Sequence, residues 1–388
     1  MTKRPHPAVF APPTALPPVT GRRERLGELD LLRFVAALVV VAYHFTGFGG
    51  AGAWPEPSRE VFPALGAITR YGYLGVDLFF LISGFVILKS LWGRGPGEFG
   101  VSRVVRLMPA YWASVLLGAA VFGLTGRGSG APGLVVPNLT MLQGGLGVRN
   151  VDAVYWTLWI ELHFYVLAAG LAAVGVTYRA CLVFMAAWLL GGVFADEAGH
   201  KLLQVMLVPT WSPYFVAGMA LYLIHRHGPT LLLWGYVGAC WLLALHWAAY
   251  RAEHVFRGGG ERVVAAAVTV IFAVMIGVAT GRLRRLRSPG LATPLATLGA
   301  LTYPLYLTHS QVALPLLDHA YPALNRWTAL ALATATALLV AYAVHRLVEK
   351  PAQRWLQARL RESLIPMRPP APPVVPPPRP AESELLPR

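Results

Sequence analysis

A chain of 388 residues that is 56% hydrophobic and only 13% charged is not a soluble protein. Its mean hydropathy of +0.53 agrees, since soluble domains carry roughly 45–50% apolar and about 25% charged residues. This composition excludes a disordered chain and a disulfide-stapled module, and the net charge of +15 is explained by membrane topology rather than by nucleic acid.

The chain opens on a basic, Pro-rich tail over residues 1–28 that has no apolar core and so does not read as a signal peptide. Ten apolar stretches of spanning length follow, at about 30–48, 72–90, 108–126, 154–175, 180–195, 205–224, 230–250, 263–281, 294–315 and 327–346. Residues 352–388 form a second tail, Pro-rich from about Pro366, and both tails read as disordered. The spacing predicts an all-α integral membrane protein, a bundle of about ten transmembrane helices in one domain over 29–351. Ten spans place both termini on one side. Arg22–Arg25, Arg94–Arg106 and Arg282–Arg287 put that side in the cytoplasm, N-in and C-in. Cys181 and Cys240 sit in apolar runs with no CxxC and read as small buried hydrophobes. No repeat of fixed period and no metal-ligand spacing is evident.

Ionisable residues inside such spans are costly and therefore candidates for function. In span 1, LDLLRFVAALVVVAYHF, Arg33 and His44 are separated by eleven residues. On a helix that is about three turns and about 16 Å of rise, so both fall on one face. Asp30, at i−3 from Arg33, is placed to pair with it. The plainer reading is a snorkelling Arg and an unrelated interfacial His. Asp77 falls in the outer third of span 2, either functional or a first-turn charge favoured by the helix dipole. Gly72, Gly75 and Gly84 of the same stretch permit close helix packing. Arg103 and Arg106, at i,i+3 in a cytoplasmic segment before Pro109, make either a phosphate fork or a topology anchor. Pro109 suits the first turn of span 3. In span 4, VYWTLWIELHFYVL, Glu161 needs a partner, with Tyr165 at i+4 and Trp159 nearby. His309 in span 9 is either a satisfied polar group or part of the same site. Glu349–Lys350–Pro351 closes the last span. Basic groups thus gather at one face, with His44, Glu161, Asp77 and His309 deeper. A carrier with phosphates at one end and a reactive group on a long arm, such as acyl-coenzyme A, fits that shape.

At these residues the sequence resembles acyltransferase family 3, integral membrane O-acyltransferases. The family pattern LDGLRaiAalxVvxyH is similar to Leu29–His44, with Leu31 in place of the usual Gly. G-V-D-x-F-F-x-x-S-G-F matches Gly75–Phe85, the RxxR-P-x-Y motif matches Arg103–Tyr111, and W-[ST]-L-x-x-E-x-x-F-Y matches Trp156–Tyr165. Tyr306–His309 and the closing E-x-P at Glu349–Pro351 fit as well. The resemblance implies that His44 is the catalytic histidine, that Arg33, Arg103 and Arg106 serve the acyl-CoA side, and that Glu161 is an essential polar residue. It implies a multi-pass protein of the bacterial cell membrane, in a stand-alone form without the C-terminal esterase-like domain of some members.

The function expected is transfer of an acyl group, acetyl foremost, from acetyl-CoA as co-substrate to a hydroxyl of a carbohydrate acceptor such as a cell-surface glycan. No metal or nucleic acid takes part, and a homo-oligomer is compatible with the sequence. His44 would act as general base or as nucleophile, with Glu161 or Asp77 fixing its tautomer. Trp156, Trp159, Tyr165 and Trp211 could stack on sugar faces or form an interface belt. The competing acceptor is a natural-product hydroxyl of macrolide type. The competing classes are a proton-coupled transporter using Asp77, Glu161 and His309, for which no inverted repeat is seen, and a scaffold for a polysaccharide assembly complex.

Overall fold

The computed structural model describes residues 26–48, 54–126, 131–256, 260–283, 288–321 and 323–364. Among these residues the regular structure is helical throughout. The long helices are α1 (Gly27–Ala42), α2 (Gly75–Leu91), α3 (Pro96–Leu124), α4 (Trp156–Val174), α5 (Tyr178–Glu197), α6 (Ser212–His227), α7 (Leu231–Phe256), α8 (Glu261–Ala279), α9 (Pro289–Ala320), α10 (Arg326–Ala343) and α11 (Lys350–Leu364). Among the described residues nine helical segments are long and apolar enough to cross a membrane, and they coincide with nine of the expected stretches. The remaining stretch, 294–315, lies in α9. Its 32 residues span about 48 Å at the helical rise, but three internal prolines and a run of polar residues dilute its hydropathy. It is sheltered between α1 and α10. The chain is therefore a multi-pass membrane protein. Of the basic segments that set its expected orientation, Arg22–Arg25 and residues 284–287 lie outside the described residues, as do most of the N-terminal tail and the Pro-rich end from Pro366.

Four boundaries differ from the sequence expectation, each for a local reason. Helix α3 starts at Pro96 and runs unbroken through Pro109, so it is Pro96 that takes the first-turn position. Arg103 and Arg106 are thereby helical residues of one long element rather than part of a cytoplasmic loop. The expected sixth span is broken in two. A short helix, Lys201–Leu207, ends where Val208 turns into the left-handed region at φ 43°, and α6 begins at Ser212. Glu349–Pro351 does not close the last helix. A π-helical turn over Val344–Glu349 absorbs the change of phase and α11 continues to Leu364. There Glu349 accepts from His345 Nδ1 at 2.7 Å and from Gln353 Nε2 at 3.0 Å. Gln353 Nε2 also donates to the Arg106 carbonyl at 3.2 Å. Finally, Leu26–Glu28, the first of the described residues, are already buried against the bundle, so the helical bundle includes residues before 29.

Packing is set by glycine where two helices must touch backbone to backbone. Helices α2 and α6 form the buried centre of the bundle. A Cβ added at Gly84 would run into the Phe215 carbonyl, and one at Gly218 into the Leu81 carbonyl. Gly75 meets the Ala36 carbonyl of α1 in the same manner, at 2.7 Å from where its Cβ would stand. Side chains cannot be accommodated at these crossings, because the neighbouring atoms are backbone and cannot rotate away. The outward faces of α7 and α10 are by contrast half-exposed and apolar, as lipid contact requires.

Asp77, expected beside His44, is committed elsewhere. In the first turn of α2 it accepts a hydrogen bond from Arg251 Nη2 of α7 at 2.6 Å and from the Tyr214 hydroxyl of α6 at 2.8 Å. The Arg251 guanidinium also lies 4.1 Å from the centroid of the Trp211 ring. Arg251 lies just past the expected span 230–250, so periodicity within that span does not point to this partner. The pair staples three helices together in a buried setting.

Two stability outcomes follow from these contacts. Gly84→Ala and Gly218→Ala each cost about 1–3 kcal/mol through overpacking, read as a lowered thermal midpoint in detergent. Asp77→Ala and Arg251→Ala each cost about 3–5 kcal/mol because each strands a buried charge, and the double variant recovers part of the loss. Unchanged stability in Asp77→Ala would remove the stapling role.

Candidate active site

The candidate residues are gathered by the parallel pairing of α1 and α9. Near the start of both helices, Asp30 lies against Gly299, where an added Cβ would fall 2.5 Å from Asp30 Oδ1. Farther along, His44 meets His309. The two helices therefore run in the same direction, and the face of α9 carrying Gly299, Thr302, Tyr303, Tyr306 and His309 follows the face of α1 carrying Asp30, Arg33 and His44. This is the shared face that the eleven-residue spacing predicts.

Beside this pairing a cavity opens among α1, α2, α3, α4 and α9. Three cationic residues expected at the basic face, Arg33, Arg103 and Arg106, all line it, together with Glu161, Tyr165 and Ser83. Glu161 Oε1 accepts from the Tyr165 hydroxyl at 2.6 Å and the Ser83 hydroxyl at 2.8 Å. The carboxylate that needed a partner thus has two, one from its own helix and one from α2. Apolar walls are supplied by Val76, Phe79, Phe80 and Ile87. Two donors in the lining, Arg103 Nε and Tyr303 Oη, are buried without a hydrogen-bond partner among the described residues. A buried donor left open in a native site calls for water or ligand. Arg103 Nη2 is held by Ser102 Oγ at 3.0 Å, and its guanidinium lies 5.5 Å from the centroid of Phe99.

Neither His44 nor His309 lines the cavity; His309 stands next to Tyr306, which does, their ring centroids 6.1 Å apart. His44 is half-buried in the π-helical turn Tyr43–Gly47, a break in regular helix of the kind that frequents functional sites. Its Nδ1 lies 3.0 Å from the Val40 carbonyl oxygen and 3.2 Å from His309 Nε2. His309, fully buried, points Nδ1 at the Tyr306 and Leu305 carbonyl oxygens, at 2.8 and 3.2 Å. Neither Glu161 nor Asp77 hydrogen-bonds to His44, so the expectation that one of them fixes its tautomer does not match this geometry.

Several buried polar residues behind His309 were not singled out from sequence. Ser310 donates to Asp152, whose other oxygen caps Val154 N. Gln311 Nε2 donates to Ser114 Oγ at 2.9 Å and Tyr155 Oη at 2.8 Å. Tyr306 Oη pairs with Thr157 Oγ1 at 2.8 Å. These bonds pin the middle of α9 to α3 and to the start of α4. The available signal is the polar run Thr308–Gln311 inside an apolar span, of which only the histidine is an obvious candidate for chemistry. Trp159 stands away from the cavity. It packs edge-on against His163 at 4.5 Å and over Gly144 and Gly145. Trp156 and Trp211 pair at 5.2 Å. Cys181 and Cys240 are buried free thiols. Among the described residues no group of three or more His, Cys, Asp or Glu side chains comes together as a metal ion would need.

Comparison with known proteins assigns this arrangement. The acyltransferase family 3 model, described as an acyltransferase domain, matches residues 26–346. Acyltransferase MdmB of Streptomyces mycarofaciens is 28% identical over 382 residues, covering 86% of this chain and 93% of that protein. Exopolysaccharide production protein ExoZ of Rhizobium meliloti (strain 1021) is 29% identical over 265 residues, 62% of this chain and 76% of that protein. Nodulation protein 10 of Rhizobium leguminosarum bv. viciae is 25% identical over 377 residues, 88% of this chain and 95% of that protein. No solved structure matches the chain. With the family model spanning the whole helical bundle from α1 into the π-helical turn after α10, the chain belongs to acyltransferase family 3 and is a membrane-embedded O-acyltransferase.

Proposed function

We propose that the chain transfers an acetyl group from acetyl-coenzyme A to a hydroxyl of a carbohydrate, with His44 as its reactive residue. The observation that carries the donor is the cavity that unites Arg33, Arg103 and Arg106, two of its lining donors still open. Guanidinium groups in that number suit the phosphates of a nucleotide. The α1 rise of about 16 Å from Arg33 to His44 suits a carrier whose reactive end is remote from its charge. Phe79, Phe80 and Ile87 give the intervening arm an apolar wall.

At the far end the acceptor hydroxyl approaches His44 Nε2. As general base, the imidazole takes the hydroxyl proton while the oxygen attacks the thioester carbonyl. The new C–O bond forms, the C–S bond breaks, and the coenzyme A thiolate leaves with the proton returned from the imidazolium. In the nucleophilic variant Nε2 attacks first and the C–S bond breaks to release the coenzyme A thiolate; the acyl-imidazolium then passes its acyl group to the hydroxyl, whose proton goes to the thiolate. Both routes need the same free nitrogen. Donor entry from the cytoplasmic side and acceptor entry from the opposite side accord with the expected orientation. The carbohydrate acceptor draws support from the exopolysaccharide production relative.

Purified protein in nanodiscs with radiolabelled acetyl-CoA and a panel of glycan and natural-product acceptors tests this reading. His44→Ala is expected to lower label transfer by about 10²–10⁴-fold, the usual worth of a positioned acid–base group, in protein that still folds. Full transfer by folded His44→Ala would refute the mechanism, and transfer only to natural-product hydroxyls would replace the acceptor class. Separately, Arg103→Ala and Arg106→Ala are expected to raise the KM for acetyl-CoA by about tenfold or more, the value of a charge-assisted hydrogen bond. An unchanged KM in both would move the donor site elsewhere.

A further inference from the structure

We infer that His309 is a positioning residue that holds His44 in the tautomer the reaction needs, occupying the place a carboxylate fills in other acid–base pairs. The inference rests on His44 being the reactive residue and concerns a different side chain.

The argument is one of donors and acceptors. Carbonyl oxygens only accept hydrogen bonds. His309 Nδ1 faces two of them, from Tyr306 and Leu305, at 2.8 and 3.2 Å. That nitrogen therefore carries the proton, which leaves Nε2 of the neutral ring with a lone pair. This lone pair lies 3.2 Å from His44 Nδ1. His44 Nδ1 in turn lies 3.0 Å from the Val40 carbonyl oxygen. Were His44 Nδ1 unprotonated, two acceptors would face it with no hydrogen between any of them. With the proton on Nδ1, one N–H is shared between the Val40 oxygen and His309 Nε2, and every atom is satisfied. His44 is thus an Nδ1–H imidazole whose Nε2 lone pair is free. Among the described residues that Nε2 has no hydrogen-bond partner, so it is open to substrate. A free imidazole has no such fixed preference for carrying its proton on Nδ1; the partner on the other nitrogen decides.

The supporting structure explains how a neutral ring can be held in this role. His309 is fully buried, so water does not compete for its lone pair. Its own Nδ1–H is directed by two carbonyls of the preceding turn, and the turn is fixed by three side-chain anchors. Tyr306 is tied to Thr157, Ser310 to Asp152, and Gln311 to Ser114 and Tyr155. When His44 Nε2 takes a proton or an acyl group, the positive ring keeps its Nδ1–H on His309 Nε2, and the acceptor is already in place. No carboxylate takes part. This separates the arrangement from the buried Asp–His pair of serine hydrolases and keeps a fixed negative charge away from the departing thiolate.

The test combines two variants with spectroscopy on the nanodisc protein. His309→Leu removes the acceptor at similar volume. His309→Gln offers an amide oxygen to the same N–H. Expected for His309→Leu is a fall in kcat of about 10–100-fold with the KM for acetyl-CoA within about twofold of wild type, the worth of one hydrogen bond to a developing charge. His309→Gln is expected to recover at least about half of that loss on a logarithmic scale. In ¹⁵N-histidine spectra of the wild type, with His44 assigned by comparison with His44→Ala, Nδ1 is expected to carry the proton and Nε2 to be bare. In His309→Leu the proton is expected to redistribute towards Nε2. Wild-type His44 found with its proton on Nε2 would overturn the inference whether or not the variants fold. So would a folded His309→Leu that keeps kcat within twofold, or His309→Leu and His309→Gln equally impaired with the His44 signals unmoved. His44→Ala in the same assay separates the two readings. Activity retained there sinks the proposed mechanism, whereas activity lost there but kept in His309→Leu sinks the positioning role alone.

Discussion

Inside an apolar bundle a polar side chain has no water to turn to, so each must be met by another polar group of the fold. The pairing of α1 with α9 is where this chain meets that demand most densely. Asp30 stands by Gly299 and His44 by His309, with the arginine-lined cavity between the two ends of the pairing. The remaining architecture serves that pairing. The crossing of α2 and α6 through Gly84 and Gly218 brings Ser83 within reach of Glu161. The Asp77–Arg251–Tyr214 staple ties the first turn of α2 to α6 and α7. The Asp152, Gln311 and Thr157 anchors hold α9 at a fixed height and rotation.

Two kinds of polar residue therefore coexist in the bundle and are told apart by whether they face the cavity. Asp77 and Asp152 bond to neighbouring side chains and hold helices together. Arg103 and Tyr303 keep open donors on the cavity, and His44 keeps an open nitrogen beyond it. Depth in the membrane does not distinguish these classes, since Asp77, Glu161 and His44 were all expected at a similar level. Satisfaction alone does not distinguish them either, since Asp77 Oδ1 and Arg251 Nε and Nη1 are also buried without a partner among the described residues; Arg103 and Tyr303 differ in lining the cavity, which Asp77 and Arg251 do not.

Much of this was legible in the sequence. The class of protein followed from composition, and spans 4, 5 and 8 are within a few residues of helices α4, α5 and α8. Arg33, Arg103, Arg106, Glu161 and Tyr165 share one cavity as their spacing suggested. What escaped lay in partners remote along the chain. Arg251 is 174 residues from Asp77, and His309 is 265 residues from His44. Helical periodicity assigns a residue to a face but does not say which helix that face meets. Breaks were only partly announced. Pro209 follows the left-handed Val208 and Gly47 ends the π-helical turn at Tyr43, while the turn Val344–Glu349 contains neither glycine nor proline. Pro109, which does announce a break, sits inside a continuous helix. Trp159 was drawn towards the site only by its nearness to Glu161 in sequence, and side-chain packing took it to the loop at Gly144 and Gly145.

The central claim is that one cavity receives the donor lengthwise, charge at the arginines and acyl end at the histidines. Cryo-electron microscopy of the protein in nanodiscs with a non-hydrolysable thioether analogue of acetyl-CoA measures this directly. The account predicts phosphate density against Arg33, Arg103 and Arg106, with the arm passing Phe79 and Phe80 and its tip in contact with His44. Phosphates bound away from these arginines, or an arm whose tip lies remote from His44, would contradict it.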